Sequence, residues 1–438
     1  MTIEIKKSYK LFSLLAIVLL SGWLSQARAA MEIEITRAGQ SALPIAIVPF
    51  GWSGQTEVPE DIAAVIAADL QRSGRFKALE RQDLVARPVS GADVKYANWR
   101  LSGVDYLLIG KLDRLQDNTY KVQFQLLDVL RQKHMTGYNL TVQNGRLRQA
   151  AHEISDIVFE KILGEKGAFN TQIAYISAEG KADARTYRLQ VADSDGHNPV
   201  AVLTSRRPLM SPAWAPDARR LAYVSFEDKK RSAIYIQDTR DGSRKKLISK
   251  VGINGAPAWS PDGKRLAAVL SHTGDPEIFI IDVASGRAAQ VTKNAAIDTE
   301  PAWVDDETLV FTSDRSGSPQ IYEVSASGGR ANRLTFEGRY NASPAVSSDG
   351  NTLALVNGDG GQYRIAVIDR PTGLMSVLTD GSLDESPSFA PNGSMILYAS
   401  ESAGRGVLGA VSIDGNVKQR ITLSEGDVRE PSWSPLLQ

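Results

Sequence analysis

The 438-residue chain contains no cysteine. Disulfides, thiolate nucleophiles and cysteine-bound metals are therefore excluded, and an exported fold would have to hold by packing alone. Histidine is scarce. His134, His152, His197 and His272 are scattered, without the His-Glu-x-x-His spacing of a zinc site. His152 falls at a mostly polar position of a helical stretch, which suggests a surface or capping role, since a lone imidazole lacks the partners acid–base catalysis needs. No charge of one sign accumulates: the formal net charge is zero, and the basic footprint of a nucleic-acid binder is missing. Enzyme signatures are absent too. Gly51-Trp52-Ser53-Gly54 approaches the nucleophile elbow and fails at Gln55. There is no P-loop, and no Gly-x-Gly-x-x-Gly follows a strand and opens a helix.

Long hydrophobic runs are also lacking. Leu11 to Leu20 is the one strongly apolar stretch of note, too short to cross ~30 Å of hydrocarbon as a helix. It follows Lys6, Lys7 and Lys10 and precedes Ala27-Arg28-Ala29, so residues 1–29 read as a secretory signal cleaved after Ala29. With no cysteine behind that run, a lipid anchor is excluded.

What the chain has in abundance is repetition. Ser211-Pro-Ala-Trp-Ala-Pro-Asp returns as Ala256-Pro-Ala-Trp-Ser-Pro-Asp-Gly, and again from Glu300, Ser343 and Ser386. A sixth copy, Glu430-Pro-Ser-Trp-Ser-Pro, is cut short by the C-terminus. The marker positions Trp214, Trp259, Trp303, Val346, Phe389 and Trp433 recur every 43 to 45 residues, a period of propellers or solenoids. Three copies continue with an Asp-Gly or Asn-Gly hairpin turn (Asp262-Gly263, Asp349-Gly350, Asn392-Gly393), and the full copies go on to a second apolar run, an alternating run such as Ile278-Phe279-Ile280-Ile281, and a fourth β-rich segment. Four short antiparallel strands per period make a propeller blade, and the β-branched content rules out a helical solenoid. The segment after the first domain has three strand signals (Ile173–Ile176, Tyr187–Val191, Ala201–Leu203) but no Pro-Ala-Trp strand, whereas residues 430–435 have only that strand. Joined, they complete a sixth blade and leave no open sheet edge. The repeat tryptophans are expected to wedge between blades; Trp52 and Trp99 lie outside the repeat.

Residues 30–165 do not repeat and read as a small mixed sheet covered by two helices, so the fold class is an α/β N-terminal domain followed by a six-bladed β-propeller spanning 166–438. The helices are expected at Pro59–Leu70 and Arg146–Leu163, the latter stopped by Gly164, and strands at Pro44–Phe50, Asp105–Leu112, Tyr120–Leu127 and Met135–Val142. Residues 31–36 alternate perfectly, and residues 30–36 form a candidate arm, able to pair with the N-terminal domain's sheet edge or to come free and add a strand to a partner.

The sum of these features, with Ile45-Ala-Ile-Val-Pro-Phe, the helix Asp61-Ile-Ala-Ala-Val-Ile-Ala-Ala-Asp-Leu-Gln-Arg-Ser-Gly and the junction Val158 to Ile176, resembles the TolB family, periplasmic components of the Tol-Pal system, across the whole mature chain. The repeat alone is also shared with the propellers of prolyl oligopeptidase-like and tricorn-type proteases. The resemblance implies a non-enzymatic, monomeric periplasmic protein that binds the lipoprotein Pal at the propeller channel and TolA through the arm (Glu32, Ile33, Glu34, Ile35) and N-terminal domain. It would support outer-membrane integrity and constriction during division, and colicins parasitise the propeller of some members. The alternative is a periplasmic propeller that binds or hydrolyses a small ligand in its channel.

The residues just before each innermost strand line one face of the channel around the ring. Glu300, Glu385 and Glu430 are read as sharing one register, where they either attract a cation or basic segment or bond to their own neighbours. By resemblance, the Pal face comprises Met210, Asn254, Ala256, Thr299, Glu300, Glu385 and Glu430. Ile253 stands where relatives often carry His, which removes a titratable group from that face. The family also associates a calcium ion with the channel, and the acidic register permits one.

Overall fold

The structure is a computed structural model that describes residues 31–34, 42–55, 57–181, 184–228, 231–421, 423 and 426–437. The expected leader, and Ile35 and Thr36 of the arm, lie outside the described residues.

In the N-terminal domain, Leu43–Ile47 runs parallel to Phe76–Ala78 on one side and Tyr106–Arg114 on the other. Thr119–Asp128 and Lys133–Gln143 extend the sheet antiparallel, and Gly51–Trp52 pairs with the end of Tyr106–Arg114. Helices α1 (Ile62–Arg72) and α3 (Leu147–Leu163) cover one face, burying Ile62, Ile66, Leu70, Ile154 and Val158 against Val122, Phe124 and Leu126. Helix α1 starts three residues later than Pro59 because the Asp61 carboxylate accepts the Ala64 N–H at 3.0 Å and takes the N-cap. Helix α3 ends where Gly164 turns left-handed at φ 75°. A third, short helix, α2 (Tyr96–Leu101), sets Trp99 against Val48, Leu107 and Ile109 on the opposite face. Six residues are too few to show helical periodicity in a sequence.

The propeller has six four-stranded antiparallel blades. Blade 1 joins both ends of the repeat array: Asp427–Trp433 is its innermost strand, paired with Gln172–Glu179, followed outward by Thr186–Asp193 and Val200–Ser205. Blades 2 to 5 begin at Leu209–Trp214, Asn254–Trp259, Asp298–Trp303 and Tyr340–Val346, and blade 6 at Glu385–Phe389. The tryptophans sit between blades as expected, and three of the four bond across to the preceding blade. The indole N–H groups of Trp214, Trp259 and Trp303 donate to Ser432 O, Ala213 O and Ala258 O of the preceding blade at 3.2, 3.2 and 3.0 Å. Trp433 donates to Thr171 Oγ1 at 2.8 Å. The Arg220 and Arg265 guanidinium groups lie over the Trp259 and Trp303 rings, at 4.9 and 5.0 Å.

The arm corrects one expectation. Met31–Glu34 adds antiparallel to Lys418–Ile421, the outermost strand of blade 6, not to the sheet of the N-terminal domain. An alternating strand finds an open edge at the rim of any blade, and nothing in its sequence distinguishes one edge from another.

Candidate partner-binding face of the propeller channel

Every innermost strand is interrupted near its start by a bulge, with the register shifting between Met210 and Ala213, Gly255 and Ala258, and at the equivalent places of the other blades. The residue at the bulge is left-handed in all six: Ser211, Ala256, Glu300, Ser343, Ser386 and Glu430, with φ between 44° and 55°. Each is a non-glycine residue in a region that costs roughly 1–2 kcal/mol. The next residue is proline every time, which loses nothing where a bulge leaves a backbone N–H without a ladder partner. The Pro in the repeat is therefore the sequence mark of the bulge.

This geometry corrects the register of the acids. Glu300 and Glu430 occupy the bulge, whereas Glu385 stands one residue earlier, beside the bulge residue Ser386. Both bulge carboxylates tie neighbouring blades together. Glu300 accepts from the Ser343 N–H at 2.8 Å, Ser343 Oγ at 2.7 Å and Thr312 Oγ1 at 2.8 Å. Glu430 accepts from the Ser211 N–H, with Ser211 Oγ at 3.3 Å. Burial, and to a lesser degree the charge of Glu385, push the Glu430 carboxyl above the ordinary range against the pull of the Ser211 bonds. Glu385 pairs with Arg429 at 3.3 Å, both partly exposed. Local bonding thus takes up most of these carboxylate oxygens. With their lone pairs turned to N–H and O–H donors, and no convergent acidic trio at the mouth among the described residues, the donor set does not fit a calcium cage of six or more oxygens.

The mouth itself is a cavity of about 570 Å³ lined by Met210, Ala256, Glu300, Tyr340, Glu385 and Glu430, among others. An adjoining cavity of about 490 Å³ shares Met210, Ala256 and Glu300 and adds Phe226, Asn254 and Thr299. All seven residues expected at the channel face therefore line one of these two connected hollows. Asn254 is fully engaged: its Oδ1 accepts the Lys250 N–H at 2.7 Å, and Nδ2 donates to Lys250 O and Gly252 O. It shapes the 250–253 loop and offers a partner little of its own. That loop lifts Ile253 into solvent, 50% exposed, near Met210 at 40%. The position three before each bulge is apolar in four successive blades, Ile253, Ile297, Tyr340 and Leu383, and Tyr340 meets Tyr363 edge-on at 5.2 Å. The same position lies six residues before the marker Trp259, Trp303, Val346 and Phe389, so the repeat alignment already contained this apolar column.

His152 is the other correction. It is 2% exposed, and its Nδ1 lies 2.7 Å from Asp69 Oδ2 between the two domains. The facing propeller hairpin turns its helix position inward, which the polar neighbours of His152 on α3 did not reveal.

Comparison with known proteins bears on this arrangement directly. Residues 31–135 match the model of the TolB amino-terminal domain, and residues 159–437 that of the TolB beta propeller domain. The chain belongs to the TolB family. It is 52% identical over 414 residues to a Tol-Pal system protein TolB of Thioalkalivibrio sulfidiphilus, covering 94% of this chain and 95% of the relative. It is 50% identical over 409 residues to that of Nitrosococcus oceani, covering 93% and 94%. The crystal structure of TolB from Acinetobacter baumannii superposes with a TM-score of 0.84 at 40% identity, over 93% of this chain and 100% of that one. Membership of the TolB family makes the chain a Tol-Pal system component. Among its described residues, no helix is long and apolar enough to cross a membrane.

Proposed function

We propose that this TolB-family chain acts without chemistry of its own, as a periplasmic docking hub that holds Pal on the channel face and TolA through the arm, supporting envelope integrity and constriction. The observation that carries the reading is the pair of connected hollows at the channel mouth. They are rimmed by unpartnered apolar side chains, Met210 and Ile253, over a floor whose carboxylates are already bonded. Such a surface suits an apolar protein anchor surrounded by polar contacts better than it suits a reaction. The bulges and interblade ties keep it rigid, so little ordering cost falls on binding.

The arm supports a second half of the reading. Met31–Glu34 is held by backbone pairing to the edge of blade 6. A partner that takes the arm as an added strand must first win it from that edge. Docking at the channel that loosens blade 6 would make TolA contact depend on Pal.

Calorimetry with purified Pal and purified TolA tests both halves. Met210→Glu and Ile253→Glu are expected to weaken Pal binding ~tenfold or more, a loss of about 1.4 kcal/mol, with TolA affinity unchanged. Deleting residues 30–36 is expected to abolish TolA binding while sparing Pal. Pal affinity indifferent to both channel substitutions, or TolA affinity indifferent to the deletion, overturns the corresponding half.

A further inference from the structure

We propose that the cleft between the N-terminal domain and the propeller is a binding site for a small organic anion, whose carboxylate or phosphate group seats on the N-terminus of α3 and on arginines from both domains. The cleft shares no lining residue with the hollows at the channel mouth and is independent of the partner-binding reading.

Helix α3 is seventeen residues long, yet no side chain caps its N-terminus and its first turn carries no acid. The positive end of a helix is ordinarily met by one or the other. Here it opens on a cleft of about 690 Å³, lined from the helix side by Arg146, Arg148 and Gln149 and from blade 2 by Arg219 and Arg240. Arg146 and Arg240 are exposed, and neither forms an ion pair among the described residues. Backbone N–H groups at a helix start, with guanidinium groups around them, are the usual means of holding an oxyanion.

A second observation comes from the floor. His152 lies one turn beyond Arg148 on the same side of α3 and lines the same cleft. Its Nδ1 is bonded to Asp69, but Nε2 has no hydrogen-bond partner, and the nearest carboxylate oxygen, on Asp195, is 3.7 Å away. Arg148 Nε is likewise buried without a hydrogen-bond partner, 4.0 Å from Asp193. Buried donors are seldom left without acceptors, and an oxyanion in this cleft supplies them to both.

The charges facing His152 are Asp69 and Arg72 from α1, Arg148 and Asp156 from its own helix, and Asp193 and Asp195 from the propeller. Burial works against its protonation, but Asp69 and then Asp195 outweigh burial and the repulsion of Arg72, so the imidazole pKa stands above its ordinary value. In its protonated form the ring presents an Nε2–H to the cleft. Asp193 and Asp217 also line the cleft, yet Asp193 is bonded by Asn198 at 2.8 Å and Asp217 by Arg220 at 2.6 Å. Arg148 is paired with Asp195 and Arg219 with Asp238 at 2.5 Å, which leaves Arg146 and Arg240 as the cleft's cations without an ion-pair partner among the described residues. The space is several times what a bare inorganic ion fills, which points to an organic molecule bearing the anionic group.

The test is calorimetric titration of citrate and of inorganic phosphate into the purified protein at constant ionic strength, with 15N NMR of the histidine side chains. Saturable binding is expected, with a shift at His152 Nε2 and weakening as pH rises through the His152 titration. In Arg146→Glu/Arg240→Glu, two exposed positions that the fold tolerates, affinity is expected to fall ~tenfold or more. Binding of citrate alone assigns a carboxylate ligand, and of phosphate alone a phosphate ester; either supports the site. Absence of saturable binding of both probes below ~10 mM, or unchanged affinity in the double variant, overturns it.

Discussion

Replacing Trp214 with alanine puts the closure of the ring to a quantitative test. The indole is buried between blades 1 and 2, packed against Ala174, Ile176, Leu189 and Val191 on one side and Leu221 and Tyr223 on the other. Its N–H donates to Ser432 O at 3.2 Å, and Ser432 lies on the strand that the chain's C-terminal end contributes to blade 1. Removing the ring costs about 3–5 kcal/mol in transfer and cavity terms. Of this, the hydrogen bond contributes ~1 kcal/mol, because it leaves a buried carbonyl without its donor. Against a net stability of about 5–15 kcal/mol this is a large fraction. At ~2–4 °C per kcal/mol it lowers the propeller's melting temperature by roughly 10 °C. Trp214→Phe retains most of the apolar wedge and gives up the N–H, so its cost is expected at about 1–2 kcal/mol. Thermal unfolding by circular dichroism reads the two shifts. Hydrogen exchange at the amides of Asp427–Trp433 reports whether the C-terminal strand is the part released. If Trp214→Ala costs under ~1.5 kcal/mol, or if the strand's amides exchange no faster, the wedge does not hold the closing strand and the reasoning fails.

Two further predictions concern the domain junction. The Asp156 carboxylate accepts the Phe169 and Asn170 N–H groups at 2.7 and 3.0 Å, and burial pushes its pKa up to about 6 despite those bonds. A carboxyl whose folded pKa is raised favours the folded form when protonated. Its contribution is fully present below the unfolded value near 4 and is lost as pH rises through about 6. Wild-type protein is therefore expected to gain stability from this group between pH 7 and pH 5, and Asp156→Asn to flatten that slope; parallel slopes in calorimetric melts count against the assignment. Gly74 follows α1 at φ 69°, and a Cβ there collides with Val417 Cγ2 of blade 6. Gly74→Ala is expected to lose at least ~1–2 kcal/mol from the left-handed backbone alone, and Val417→Ala to recover only the steric part, as denaturant melts of the single and double variants will measure.

The extent to which function was legible in the chain varies by residue. Period and turn chemistry marked the blades because each blade must solve the same packing problem with the same residue types. The channel-face residues were found because equivalent places in a closed ring converge on its axis, so a position in the repeat is also a position in space. Glu385 shows the limit of that logic. Its one-residue offset is in the sequence, two residues before Pro387 where Glu300 and Glu430 directly precede their prolines, but only the backbone shows that the offset puts Glu385 outside the bulge. His152 and the free edge taken by the arm were not legible at all, since each depends on an element distant in the chain, Asp69 and Asp195 for the histidine and Lys418–Ile421 for the arm.

The sequence by itself determined that a propeller forms, that it has six blades and that its two chain ends supply one of them, because local strand pattern and spacing leave no other way to bury the repeated apolar faces. Only the tertiary structure decided which carboxylates are spent on holding blades together, which histidine is buried between the domains, and where the arm rests. Those outcomes depend on which groups meet across a packed interface, and desolvation there sets whether a charge is paired, protonated or left to a partner.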